Sequence, residues 1–441
     1  MFGKPSAKRF EDVRTDMAPG IAPDSADIGK TVYQRMDEGR VRVLRYQGGK
    51  PRVEIPPGIY VAKKEYSVVE IGEGAFAGHP ELASVSLPDC IETIGDKAFE
   101  GCSGIVEIDI PRGTASIRGN AFAGCSKLET VRMPDSPKKI GKHAFDGCSS
   151  LKAFIAEKGK GDYVSDKDGC LYDDGSDRLF RVPYAMSGTV DVPPGTKEIA
   201  GEALSGCVGV TSVRIPASVE KIGDRILSGC GSVAMIYVNP RNEHFRSDLQ
   251  GILYDSEVTE VVRAPNSVTG ELEIPATVRR IRMNAFEKCA GLTSVTIPYG
   301  TTIIEDSAFE GCSKIRRLSL SGSIRSIGEG AFRGCAGIVS VTIPDSVEEI
   351  GDGAFAGCSR LVSASIPMGT RLGERVFPTN CDIRLERRTG KKLNIGIAWA
   401  DAWTGKNYSR RSRTASATPT RWRGPCRNPD STRRTSTPCA S

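Results

Sequence analysis

The sequence predicts an α/β-type repeat solenoid, a superhelix of 23-residue coils with short parallel strands on its concave face and short helical turns on its convex face. Three observations carry this. The dipeptide Ala-Phe recurs every 23 residues, at Ala75-Phe76, Ala98-Phe99, Ala121-Phe122 and Ala144-Phe145, and again from Ala285-Phe286 to Ala354-Phe355. A short alternating apolar run ending in Pro precedes most recurrences. Gly (49) and Pro (26) are frequent, which favours many turns over long helices.

Each element of the unit has a physical reason. The clearest copy is LTSVTIPYGTTIIEDSAFEGCSK at 292–314, and it generalises to L-x-x-V-x-I-P-x-x-V-x-x-I-G-x-x-A-F-x-G-C-x-x. The L-x-x-V-x-I stretch alternates and is β-branched, as a half-buried strand should be. Pro cannot donate to a strand ladder and ends it. The V-x-x-I step turns the chain back, and Gly suits the corner that follows. A-F-x-G-C then reads as one short helical turn carrying a small residue, a core aromatic and a small buried thiol. One unit cannot bury its own apolar side, whereas a stack buries a continuous core. Ala203-Leu204, Ile226-Leu227 and Val376-Phe377 are variants that bring the units to eleven.

Two segments break the period. Phe145 to Leu204 and Leu227 to Phe286 each span 59 residues, and DGCLYDDGSDRLFRVPYAMSGTVDVPPGT matches QGILYDSEVTEVVRAPNSVTGELEIPATV. Both read as a longer coil with a β-hairpin, copied in one duplicated block. The expected organisation is a disordered leader at 1–30, a cap at 31–60, a solenoid at 61–383 with irregular coils near 155–200 and 237–282, and a basic, disordered tail at 384–441.

With its 23-residue period and its A-F-x-G-C signature, the repeat resembles the BspA-like, treponemal-type class of leucine-rich repeats over roughly residues 41–383. It departs from the general leucine-rich pattern because Pro follows the strand and the Cys ladder follows Ala-Phe. The resemblance implies a surface or secreted protein that binds host proteins, matrix or other cells. It carries over no catalytic residue.

Composition narrows the function further. No run approaches the roughly 18 apolar residues of a membrane span. No apolar stretch follows the first basic residues, so no secretory signal peptide is visible. Read that way the chain is cytoplasmic; the resemblance places it at the cell surface. Residues 384–441 hold 14 Lys/Arg against 3 Asp/Glu, a balance of +11, which leaves −5 on residues 1–383. That tail reads as disordered, as a basic arm or as a shifted reading frame, and implies no specific nucleic-acid partner.

Nine cysteines, from Cys102 to Cys358, occupy the repeat slot, and His79 fills the same slot in the first coil. A disulfide framework and metal binding are the alternatives to a ladder of buried free thiols, which is the expectation. Neighbouring thiols should lie about a helix diameter apart, roughly 10 Å, too far for a bridge. The three His have no sequence partners, and no nucleophile elbow, zinc-protease or phosphate-loop motif occurs. GEGAF at 72–76 and 328–332 is read as a structural corner. DKDGCLYDDGSD at 166–177 resembles the start of a calcium loop, but Cys170 stands at its third acidic position, and a hairpin turn is the simpler reading. No enzyme, metal or cofactor is predicted.

A binding protein should use the outward residues of the strand ribbon. These are bland Ser/Thr pairs at the ends and more varied in the middle. Arg132, Ile155, Arg214, Met235, Tyr237 and Arg317 are the candidate binding residues, because Tyr and Arg most often anchor interfaces. The expected partner is a protein or cell-surface macromolecule, bound by a monomer through the concave face; an intracellular scaffold is the alternative.

Overall fold

The computed structural model describes residues 25–387 apart from 29, 134–136, 158–161, 174 and 176. The expectations for 1–24 and 388–441 fall outside these residues. Each regular coil contributes to two parallel ribbons and one ladder of turns. The first ribbon holds the longer strands, such as Glu107–Asp109, Thr130–Met133 and Ala153–Ala156 in register Glu107↔Thr130↔Ala153. The V-x-x-I step, read as a simple reversal, forms a second ribbon of two-residue strands such as Arg280–Ile281, Ile303–Ile304, Ser326–Ile327 and Glu349–Ile350.

The helical turns do not exist: no helix occurs among the described residues, and the molecule is a β-solenoid. The backbone gives the reason. An α-helix needs φ near −63° throughout, but Ser307 and Gly311, flanking Ala-Phe, sit at φ 54° and 75°; Asn284 and Lys288 do the same at 57° and 58°. Amides then alternate in direction. Glu310 and Cys312 donate three residues back, to Ser307 (3.1 Å) and Phe309 (3.2 Å), closing tight turns. Phe309 and Gly311 donate sideways to Ala331 (2.7 Å) and Arg333 (2.8 Å) in the next coil. Stacked coils thus offer carbonyls close enough to replace the helix's internal bonds.

Inside, the aromatics stack. Tyr46, Phe76, Phe99, Phe122 and Phe145 form one column with centroids 5.0–5.5 Å apart. Phe286, Phe309, Phe332, Phe355 and Phe377 form another at 4.9–5.2 Å. Each irregular coil inserts a three-stranded antiparallel meander into the second ribbon: Tyr163–Ser165, Leu171–Asp173, Arg178–Arg181, and then Phe245–Ser247, Leu253–Asp255, Glu260–Arg263. These coils interrupt the aromatic columns and divide the core into three clusters. At the N-terminal end, Thr31–Asp37 and Arg40–Tyr46 pair antiparallel, and Arg40–Tyr46 joins Lys64–Ile71 in parallel.

Candidate interaction surface

The first ribbon comes in short segments. Thr189 and Asp191, Ser212 and Arg214, and Met235 and Tyr237 face outward from the segment Ser187–Asp191, Gly209–Ile215, Met235–Val238. Register places Arg214 beside Tyr237 and Ser212 beside Met235. Arg132 lies beside Ile155 in the preceding segment. Arg317 stands apart, opposite Ser294 in a later one. The structure therefore groups five of the six candidates into two neighbouring clusters and leaves Arg317 outside.

Neither middle arginine is unopposed. Arg132 reaches Glu107 at 2.8 Å and Asp109 at 3.3 Å, and Arg214 reaches Asp191 at 2.9 Å, each one coil or so back. Their charge is met on the ribbon itself. What stands out is apolar: Ile155 is 44% exposed, Tyr237 49%, and Leu249 fully so. Sequence reading missed Leu249, which no repeat position marks. It sits in the turn Asp248–Gly251, where Asp248 Oδ1 accepts the amides of Gln250 and Ile252, both at 2.9 Å. A Cβ on Gly251 would come within 2.5 Å of Met235 Sδ, so this turn packs directly against the Met235–Val238 strand. The matching turn at 166–169 packs on the strand of Ile155, with Phe154 N donating to Gly169 O at 3.0 Å.

That second turn is the calcium-like stretch. Asp166 Oδ1 accepts the amides of Asp168 (3.0 Å) and Cys170 (2.8 Å), so its carboxylate builds the turn. Among the described residues no group of three or more His, Cys, Asp or Glu could hold a metal ion.

Behind the ribbon, two buried arginines were also missed. Arg181 donates to the carbonyls of Glu202 (2.6 Å) and Ser205 (3.1 Å) and to the Tyr184 hydroxyl. Tyr184 in turn donates to Asp146 at 2.7 Å. Arg263, 82 residues on, donates to the carbonyls of Asn284 and Leu227 and lies 3.9 Å from Glu287. Their shared position in both 59-residue copies was the available signal. A cleft of about 480 Å³ adjoins Arg181, lined also by Lys142, His143, Asp146 and Glu202. His143 Nδ1 lies 2.7 Å from Asp146 at this cleft.

All the cysteines among the described residues are free. The spacing argument for this was mistaken, because without helices the coils repeat at about 5 Å, within disulfide range. Direction keeps them apart instead. Cys125, Cys148, Cys335 and Cys358 each donate back to a Phe carbonyl of the previous coil at 3.2 Å. His79 repeats the contact with a longer arm, its Nε2 lying 3.2 Å from the Tyr46 carbonyl.

The BspA-type leucine-rich repeat model matches six copies along the chain, at residues 69–163, 187–270 and 265–384. The chain belongs to the BspA-type leucine-rich repeat family. Proteins with such repeats are typically binding or surface proteins rather than enzymes. Among solved structures, a leucine-rich cell surface protein from Faecalibacterium prausnitzii A2-165 is 24% identical, with a TM-score of 0.52, over 83% of this chain and 95% of its own. The pneumococcal vaccine antigen PcpA is 19% identical with a TM-score of 0.47, over 82% of this chain and 87% of its own. The first likeness shows the fold. No curated protein matches the sequence. No helix among the described residues is long and apolar enough to cross a membrane.

Proposed function

We propose that this BspA-type chain is an adhesion protein that binds another protein or cell-surface macromolecule through the outer face of its first ribbon, without catalysing a reaction. The observation that carries the reading is exposed Tyr237 and Leu249, with half-buried Met235 against the same turn, beside the Arg214–Asp191 pair. Aromatic and apolar anchors with a polar surround are what interfaces use. The regular repeat needs none of them for packing, since its core is complete without them.

A photo-crosslinking residue placed at Leu249 should trap a partner that the same residue at Ser326, on the second ribbon, does not. Equal trapping at both positions would remove the assignment to the first ribbon. The free, buried thiols favour a second reading, an intracellular scaffold, because unpaired cysteines suit a reducing compartment. Protease treatment of intact cells decides between the two. Loss of the repeats supports adhesion, and protection until lysis supports the scaffold.

A further inference from the structure

The charge on the first ribbon is unevenly distributed along the array. The same coil window, from the repeat Cys through the close of the strand, can be compared between coils. At 102–111 it holds Glu107 and Asp109 and no cation. At 289–298, 312–321, 335–344 and 358–367 it holds Lys314, Arg316, Arg317 and Arg360 and no acid at all. All four cations are exposed. None makes an ion pair or side-chain hydrogen bond among the described residues. Basic neighbours on the other faces are met: Arg325 by Glu348 at 2.8 Å and Arg371 by Glu349 at 2.9 Å. Lys314, Arg316, Arg317 and Arg360 thus leave uncompensated positive charge on the last coils, between Glu271 and Glu273 on one flanking strand and Asp382 and Glu386 on the other.

We propose that this face binds a polyanionic polysaccharide, a glycan chain carrying sulfate or carboxylate groups. Arg317 stands on hydrogen-bonded ribbon in register with Ser294, as Ser319 is with Thr296, and Lys314, Arg316 and Arg360 lie just before the strands of their coils. Lys314 and Arg360 occupy the same slot two coils apart, on the order of 10 Å at strand spacing. Arginine's planar fork matches sulfate and carboxylate oxygens, and the Ser and Thr hydroxyls between the cations suit sugar hydroxyls. An acidic protein fits less well, because protein interfaces centre on buried aromatic anchors. Those windows hold no aromatic side chain and only Val339 and Val362 as exposed apolar groups, with Tyr299 alone just past the first of them. The proposal stands on charge and does not depend on the Tyr237 surface.

Heparin is the probe, titrated against the full chain at low and moderate salt. The K314A/R316A/R317A/R360A variant should bind at least ten-fold more weakly and with a shallower salt dependence, its melting curve unchanged because all four side chains are exposed. Y237A and R214A should bind like the parent. Unchanged affinity of the quadruple variant would overturn the proposal and assign any binding to other cations, such as those after residue 383. Poly-glutamate or duplex DNA binding as tightly as heparin, with the same loss in the variant, would overturn it too, since the face would then read charge alone.

Discussion

Cys335 shows what a single repeat residue does here. Its thiol is buried and hydrogen-bonded to a carbonyl of the coil before. Burial raises the pKa of the ladder thiols from an ordinary 9.0 to about 11 at Cys102 and about 12 at Cys148, Cys207, Cys289 and Cys358. The unfolded thiols ionise first as pH rises, so the unfolded chain then binds fewer protons than the native one. The ladder's contribution is therefore complete below pH 9 and shrinks between about 9 and 12, by about 1.4 kcal/mol per thiol per pH unit. The urea midpoint should fall clearly from pH 8 to pH 10, and less so in Cys335→Ala/Cys358→Ala. A midpoint independent of pH over that range would show that the thiols are not held as described. Burial of these cysteines was legible from composition and slot. Their hydrogen bond was not, because the acceptor lies 26 residues back and becomes a neighbour only when coils stack.

At the scale of elements, the irregular coils lack the A-F-x-G-C turn and replace it with an arginine. Val182 and Ala264 keep the sideways bond, to Ala203 (2.8 Å) and Ala285 (2.7 Å). Arg181 and Arg263 supply the remaining donors. Arg263 is 2% exposed and faces the buried Glu287, and desolvation lowers its pKa. Removing it leaves the buried carbonyls of Asn284 and Leu227 without their side-chain donor, while Glu287 keeps Ser228 at 2.8 Å, Asn284 at 3.2 Å and Lys288 at 3.7 Å. Arg263→Ala should cost about 1–3 kcal/mol, read by urea unfolding. Arg181→Ala should cost less, because Asp146, its acid partner, is partly exposed and can rehydrate. Equal costs would mean that burial of the acid is not what matters. A hairpin in each irregular coil was legible from the duplicated 59-residue segments, but the third strand that makes it a meander was not. The second ribbon was not, because two-residue strands leave no alternation to read.

Across the whole molecule, the three core clusters meet only at irregular coils, where the phenylalanine columns stop. Repeat arrays gain stability from neighbouring coils, and long ones lose all-or-none unfolding. Phe309 is fully buried in the last cluster, so Phe309→Ala should cost about 3–5 kcal/mol. Hydrogen exchange should quicken around Phe286–Phe377 and stay unchanged around Phe76–Phe145. Equal quickening in both would make the solenoid one cooperative unit. The candidate surface was legible in part at this scale: strand alternation pointed Met235 and Tyr237 outward, but not Leu249, whose place depends on a turn packed across the ribbon.

The sequence by itself determined the repeat, its period, its family and which side chains enter the core, because each of these follows from a pattern local to one 23-residue unit. Tertiary structure alone decided that the Ala-Phe segment is a ladder of turns instead of a helix. Its amides have a choice between bonds within the segment and bonds to the next coil. Coils stacked at about 5 Å bring carbonyls within reach and settle that choice. The same stacking decided which charges on the ribbon are cancelled by a neighbour and which remain for a partner.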